Sequence, residues 1–304
     1  RGLNRAGSAS VSVMDTFSLG THTVGRVGFG AMQLPGPGVF GPPRDHDEAV
    51  AVLRRAIELG IDHIDTAQFY GPNVANELIR EALHPYPANL TLVSKVGATR
   101  DEQGGWVAAQ QPDELRRSIE ENLSALGVDR LAAVNLRVFS GGDPNAPADV
   151  DPELFPRQLE AMVAARDEGL IDGIGLSSVS VDHLRMALDH TEIVCVQNAY
   201  NLVDRTSQPL LDLCTEHATA FVPFFPLGSG FTADNPVLGH PAVVREAGRL
   251  GRTPAQVALA WTLSVAPNVL LIPGTSSVAH LEENTAVADI TLDADVKAEL
   301  DAAG

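Results

Sequence analysis

The feature that most constrains the fold is an alternation: short β-branched runs and longer amphipathic stretches succeed one another along most of the 304 residues. Eight runs read as strands, at 27–31, 61–66, 90–95, 131–138, 171–177, 193–197, 220–223 and 269–272. The stretches between them carry helix signals. Asp45-His-Asp-Glu48 reads as a capping box opening a helix that runs to Glu58, with Gly60 past its end. Pro112 suits the first turn of a helix through Leu126, ended by Gly127. Thr253-Pro254-Ala-Gln256 combines a cap, a first-turn proline and a capping-box partner.

Strands that alternate with helices without a linker predict parallel βα units, which a barrel or a doubly wound sheet can accommodate. The count of eight, and the lack of G-x-G-x-x-G after a strand, favour an α/β fold of the (β/α)8 TIM-barrel class. Segment 17–28 reads as an N-terminal β-hairpin plugging the barrel's bottom, and an extra helix is expected at the C-terminus. Residues 1–14 read as a disordered arm or a non-native remnant, and 15–304 as one barrel domain.

Composition narrows the function. A formal net charge of -18 would repel a nucleic-acid backbone or an anionic membrane surface, so neither is expected as a partner. Cys195 and Cys214 are too few for a disulfide framework or a metal set, and both read as core residues. No apolar run is long enough to span a membrane, and the first residues carry no secretory signal, so a cytoplasmic location is expected. H-E-x-x-H, C-x-x-C and G-x-S-x-G are all missing, and no metal site is expected.

Barrel chemistry sits at the C-terminal ends of the strands. Three following loops stand out: 34–44 with four prolines, 97–111 with Trp106, and the glycine-rich 224–239. Asp65 ends the second strand, Tyr70 follows it, and Lys95 ends the third, so the three can meet at one mouth. Carbonyl reduction needs a proton donor for the developing alkoxide. A free tyrosine, pKa about 10, donates reluctantly at neutral pH. A nearby ammonium eases that donation, and a carboxylate keeps the lysine charged. The plainer alternative is a structural ion pair between Asp65 and Lys95.

HIDTAQFYG, TLVSK, GIGLSS, VCVQNAYN and LLIPGTSSVAHLEEN occur here in order. In these motifs the chain resembles the aldo-keto reductases over nearly its whole length. The resemblance implies NADPH, with NADH less favoured, lying across the barrel mouth, and a small carbonyl substrate. It implies Tyr70 as general acid, Lys95 as the cation beside it and Asp65 as that lysine's counter-ion. Arg137 stands where the family usually has a histidine on the substrate oxygen; it keeps a donor there, or turns aside to a carboxylate.

The same resemblance assigns Ser177, Ser178 and Gln197 to the nicotinamide amide, and Phe224 to stacking on its ring. Leu227 and Gly228 would cover the pyrophosphate. Gly274, Thr275, Ser276, Ser277, His280, Glu283 and Asn284 would hold the adenosine end, with Gly274 and His280 replacing a frequent lysine and arginine. The proline-rich loop, NLRV and FVPFFPLG resemble the pyridoxal-reducing branch of the family, which implies reduction of pyridoxal to pyridoxine, with the unphosphorylated aldehyde favoured by the negative charge. Two alternatives stay open: a reductase of another small aldehyde or ketone, and a cofactor-binding regulatory subunit with little turnover.

Overall fold

The computed structural model describes residues 15–138, 148–228 and 235–304; the arm assigned to 1–14 and the middle of the 224–239 loop lie outside them. Strands β1 (Thr16–Leu19) and β2 (His22–Gly25) pair as the expected antiparallel hairpin. The chain continues through β3 (Phe29–Gly30), α1 (His46–Glu58), β4 (His63–Asp65), α2 (Val74–Leu83) and β5 (Thr91–Val96). A second hairpin, β6 (Ala98–Arg100) and β7 (Trp106–Ala108), precedes α3 (Pro112–Leu126). Then follow β8 (Leu131–Arg137), α4 (Leu154–Asp167), β9 (Ile171–Ser177), α5 (Val181–His190), β10 (Cys195–Gln197), α6 (Gln208–Glu216) and β11 (Ala220–Phe221). Helices α7 (Pro241–Leu250), α8 (Pro254–Ser264), α9 (Val278–Thr285) and α10 (Ala294–Asp301) complete the chain.

Seven strands form one parallel sheet in the order β11-β10-β9-β8-β5-β4-β3. The eighth expected strand, 269–272, joins through single bridges rather than a ladder: Val269 pairs with Phe221, and Leu271 with Val27. Leu270 N donates to Phe221 O at 2.9 Å, and Gly28 N to Leu271 O at 2.7 Å. These bonds on its two sides close the sheet into the (β/α)8 barrel and satisfy both edges.

Side chains two apart on a strand share a face. Val93, Ala133, Cys195, Ala220, Val222 and Leu270 fill the barrel interior, and Leu19 and Val24 of the first hairpin join them from below as the expected plug. Glycine makes room for polar residues at two interior levels. A Cβ on Gly28 would lie 2.2 Å from His63 Nε2, and one on Gly175 would lie 2.1 Å from Asn135 Oδ1. His63 is therefore a core residue beneath the rim.

The helix signals are realised with one change of partner. Asp45 accepts from Glu48 N at 3.0 Å, but the Glu48 carboxylate accepts from Val278 N, also at 3.0 Å, and so ties α1 to the start of α9. Glu114 accepts from Gln111 N at 2.9 Å to open α3, and Gly127 ends it at φ 68°. Thr253 and Gln256 bond each other's backbone N–H at 3.2 Å. Segment 97–111, expected as a loop, is instead the β6–β7 hairpin. Its Asp-Glu-Gln-Gly-Gly turn closes with Asp101 N donating to Gly105 O at 3.0 Å, and Gly104 at φ 81° lets the chain reverse. Helix α7, in the seventh βα connection, is a further element beyond the strand–helix rhythm. It pairs with the expected C-terminal helix α10 through Arg249 and Asp293 at 3.3 Å, and Trp261 Nε1 fixes α10 by donating to Asp301 at 2.9 Å.

Both cysteines are buried and free, as read from the sequence. Burial pushes the Cys214 thiol up to about 12 and raises Cys195 as well. A raised thiol pKa leaves almost no thiolate, the reactive form, near neutral pH. Ellman titration of the native protein at about pH 8 is therefore expected to count no thiols, and two after denaturation. Rapid labelling of the native chain would contradict this burial.

Candidate active site

The two-residue period of the strands builds the barrel's upper rim. Asp65, Lys95, Arg137, Ser177 and Gln197 share the inward parity of their strands and stand at or next to the C-terminal residue. Arg137, Ser177 and Gln197 lie in one row of paired residues across β8, β9 and β10. Tyr70 enters from the turn after β4, where its N–H donates to Ala67 O at 3.1 Å. Asp65, Tyr70, Lys95, Arg137 and Gln197 all line one cleft of about 580 Å³, with Phe224 and Trp106 among its walls.

At its floor the charges are buried and paired. Lys95 Nζ donates to Asp65 Oδ1 and, at 3.3 Å, to Thr66 O. The second Asp65 oxygen accepts from Gln197 Nε2 at 2.7 Å. Nζ stands 5.1 Å from the centre of the Tyr70 ring. Burial alone would drive the Lys95 ammonium down; the Asp65 carboxylate and the Tyr70 phenol outweigh it and hold the group above the usual lysine value. Lys95 is thus a fixed cation against the tyrosine.

Arg137 is buried, with its guanidinium carbon 5.7 Å from the centre of Phe224 and 5.9 Å from that of Trp106. Cation and aromatic faces alternate further up the wall. Arg100 lies 4.2 Å from the Trp106 ring and 5.5 Å from Phe40. Its donors reach Gly38 O at 2.8 Å, Val39 O at 3.3 Å and Gly104 O at 3.0 Å, binding the proline-rich loop to the β6–β7 hairpin. Sequence reasoning missed Arg100, because its partners lie about 60 residues upstream and no local pattern marks them.

The rim also suits a nicotinamide carboxamide. Ser177 Oγ and Gln197 Oε1 are buried and have no hydrogen-bond partner among the described residues. Together they offer a hydroxyl and an acceptor, the complement of an amide. Ser178 is buried beside them in the left-handed region at φ 54°, a conformation that asparagine adopts more readily than serine. Phe224, Leu227, Gly228 and Gly274 line the same cleft.

The remaining adenosine-end residues are not drawn into it. Ser276 lines a smaller cavity of about 210 Å³ beside the proline loop. Thr275 Oγ1 accepts from Ser277 N at 3.1 Å. Glu283 bonds the Thr253 hydroxyl, His280 is exposed and Asn284 is buried in α9. Among the described residues there is no cluster that would hold a metal ion, and no helix long and apolar enough to cross a membrane.

A closed (β/α)8 barrel thus carries a buried Asp-Lys pair against a tyrosine, under an aromatic cleft. The sequence profile of the Aldo/keto reductase family matches residues 26–304, and the chain is an oxidoreductase of that family. It is 49% identical over 287 residues to pyridoxine 4-dehydrogenase of Escherichia coli (strain K12), covering 94% of this chain and 97% of that one. An uncharacterized oxidoreductase of Schizosaccharomyces pombe is 38% identical over 304 residues, covering 98% and 94%. Among solved structures, an aldo-keto reductase from Klebsiella pneumoniae in complex with NADPH superposes with a TM-score of 0.78 at 26% identity, covering 95% of each chain.

Proposed function

We propose that this enzyme reduces pyridoxal to pyridoxine with NADPH, and that Tyr70 delivers the proton. The observation that carries the reading is the buried Asp65–Lys95 pair set against Tyr70 at the floor of an aromatic cleft. The likeness to a pyridoxine 4-dehydrogenase, at 49% identity, supports the choice of substrate.

NADPH, when bound, supplies the hydride that reaches the aldehyde carbon. Ser177, Ser178 and Gln197 would hold its carboxamide, Phe224 would stack on its ring, and Leu227 with Gly228 would cover its pyrophosphate. Gly274, Thr275, Ser276, Ser277, His280, Glu283 and Asn284 would take the adenosine end. NADPH is preferred over NADH, with serine and threonine hydroxyls and backbone N–H groups carrying the 2′-phosphate contact.

The chain's own residues then do three things. Tyr70 O–H points its proton at the carbonyl oxygen as negative charge gathers there. Lys95, kept charged by Asp65, faces the phenolate that the proton leaves behind. Arg137 donates to the same substrate oxygen, a permanent cation in a site shielded from water. Trp106, with Phe40 of the proline-rich loop, would pack against the flat pyridine ring.

The test is the fall of NADPH absorbance with purified protein on adding pyridoxal, its phosphate ester or a panel of other aldehydes, each repeated with NADH. The reading expects the highest kcat/KM for pyridoxal with NADPH. A higher value for another aldehyde would reassign the substrate, and NADPH binding without any turnover would favour a regulatory role.

A further inference from the structure

Helix α3 turns Leu115, Ile119, Leu123 and Leu126 to the core. The spacing of that stripe asks for another apolar residue at position 122. The residue there is asparagine, and it is fully buried. A buried amide is costly unless its groups are bonded. Here all of them are.

Asn122 Oδ1 accepts from Asn76 Nδ2 at 2.9 Å and from Ser94 Oγ at 2.6 Å. Its Nδ2 donates to Ser118 O at 2.8 Å and to Gln68 Oε1 at 3.0 Å. Those four bonds fill the capacity of the side chain, and a longer fifth from Nδ2 reaches Lys95 O at 3.5 Å. The partners matter more than their number. Ser94 directly precedes Lys95 on β5, and Gln68 stands two residues before Tyr70. Asn76, on α2, accepts in turn from Thr66 Oγ1 at 2.7 Å, and the Thr66 carbonyl accepts from Lys95 Nζ. Gln68 Nε2 continues to Ala98 O at 3.3 Å, just past β5. One amide therefore couples the loop that presents Tyr70 to the strand that presents Lys95, without itself lining the cleft.

We propose that Asn122 is a positioning residue for the reduction: its four bonds set the Tyr70 hydroxyl against the Lys95 ammonium. This rests on the roles proposed above for those two residues. A satisfied polar network of this kind specifies one arrangement of its elements, whereas an apolar contact tolerates sliding. Misplacing a reacting group by about 1 Å can cost about a hundredfold in rate.

The experiment compares Asn122→Ala with Leu126→Ala, a cavity variant at a fully buried site on the same helix. Asn122→Ala is expected to lower kcat by about tenfold to a hundredfold. The KM for the aldehyde and the NADPH Kd, read by fluorescence, should stay within about twofold, because the cleft walls are untouched. The primary isotope effect with 4-deuterated NADPH should rise as the chemical step slows. Leu126→Ala should lose thermal stability and keep its kcat. A folded Asn122→Ala with wild-type kcat overturns the proposal, and so do equal kcat losses in both variants. Should Asn122→Ala fail to fold, Ser94→Ala removes only one of the four bonds; it is expected to show the same split at smaller amplitude, and wild-type kcat in it is equally fatal. A wild type that reduces no aldehyde overturns the reductase reading and this one with it, whereas an indifferent Asn122→Ala overturns this one alone.

Discussion

Replacing Tyr70 with phenylalanine is expected to lower kcat by about 10²–10⁴-fold while NADPH binds with nearly unchanged affinity. The substitution removes one oxygen. The ring keeps its edge contact with Phe69, at 5.3 Å between centres, and the residue is almost fully buried, so the backbone has little reason to move. What is lost, on the proposed mechanism, is the proton donor in the transition state. An interaction made only there lowers kcat and kcat/KM together. The clean measurement is single-turnover decay of NADPH absorbance beside a fluorescence titration of the same variant. Wild-type turnover in a Tyr70→Phe enzyme would remove Tyr70 from the chemistry.

The second large effect comes from Lys95→Met. Asp65 and Lys95 are each almost wholly buried, so deleting the cation strands a carboxylate in the barrel, with Gln197 its remaining side-chain partner among the described residues. Breaking a buried pair from one side typically costs about 3–5 kcal/mol, because the remaining charge has lost its compensation. The double variant Asp65→Asn with Lys95→Met carries neither charge and should recover most of that stability. It should not recover activity, since the cation proposed to face the phenolate is gone. Denaturation midpoints for the wild type, the single and the double variants, with kcat for each, separate the two roles. If the double variant regains turnover as well as stability, the pair is structural, the plainer reading that the sequence leaves open.

Much of this site is legible before any coordinates. Asp65, Lys95, Arg137, Ser177 and Gln197 each stand at or next to the end of a strand marked by its own β-branched residues. Strand ends of a parallel barrel all point to one face, so their convergence follows from the topology. The helix boundaries at Pro112 and Gly127 are equally local, set by a ring that fixes φ and by a residue free to adopt a positive one.

Other features rest on groups far apart in the chain. Glu48 stands in a capping-box motif, yet its carboxylate caps the start of α9, 230 residues away. The proline-rich loop and the Trp106 hairpin can each be suspected as a cleft wall, but Arg100 joins them only because the barrel has already brought Gly38 and Gly104 within reach. Asn122 stands where the apolar stripe of α3 would take a hydrophobic residue; in the fold it is the hub of a buried network.

The sequence by itself determined the barrel class and the strand ends from which Asp65 and Lys95 converge, because periodicity, caps and turn chemistry act over a few residues. Tertiary structure alone decided how the eighth strand closes the sheet, where Glu48 sends its carboxylate, and which side chains hold Tyr70 against Lys95. A hydrogen bond between groups dozens of residues apart leaves no local mark; it forms only after packing has placed donor and acceptor within 3 Å or so of each other.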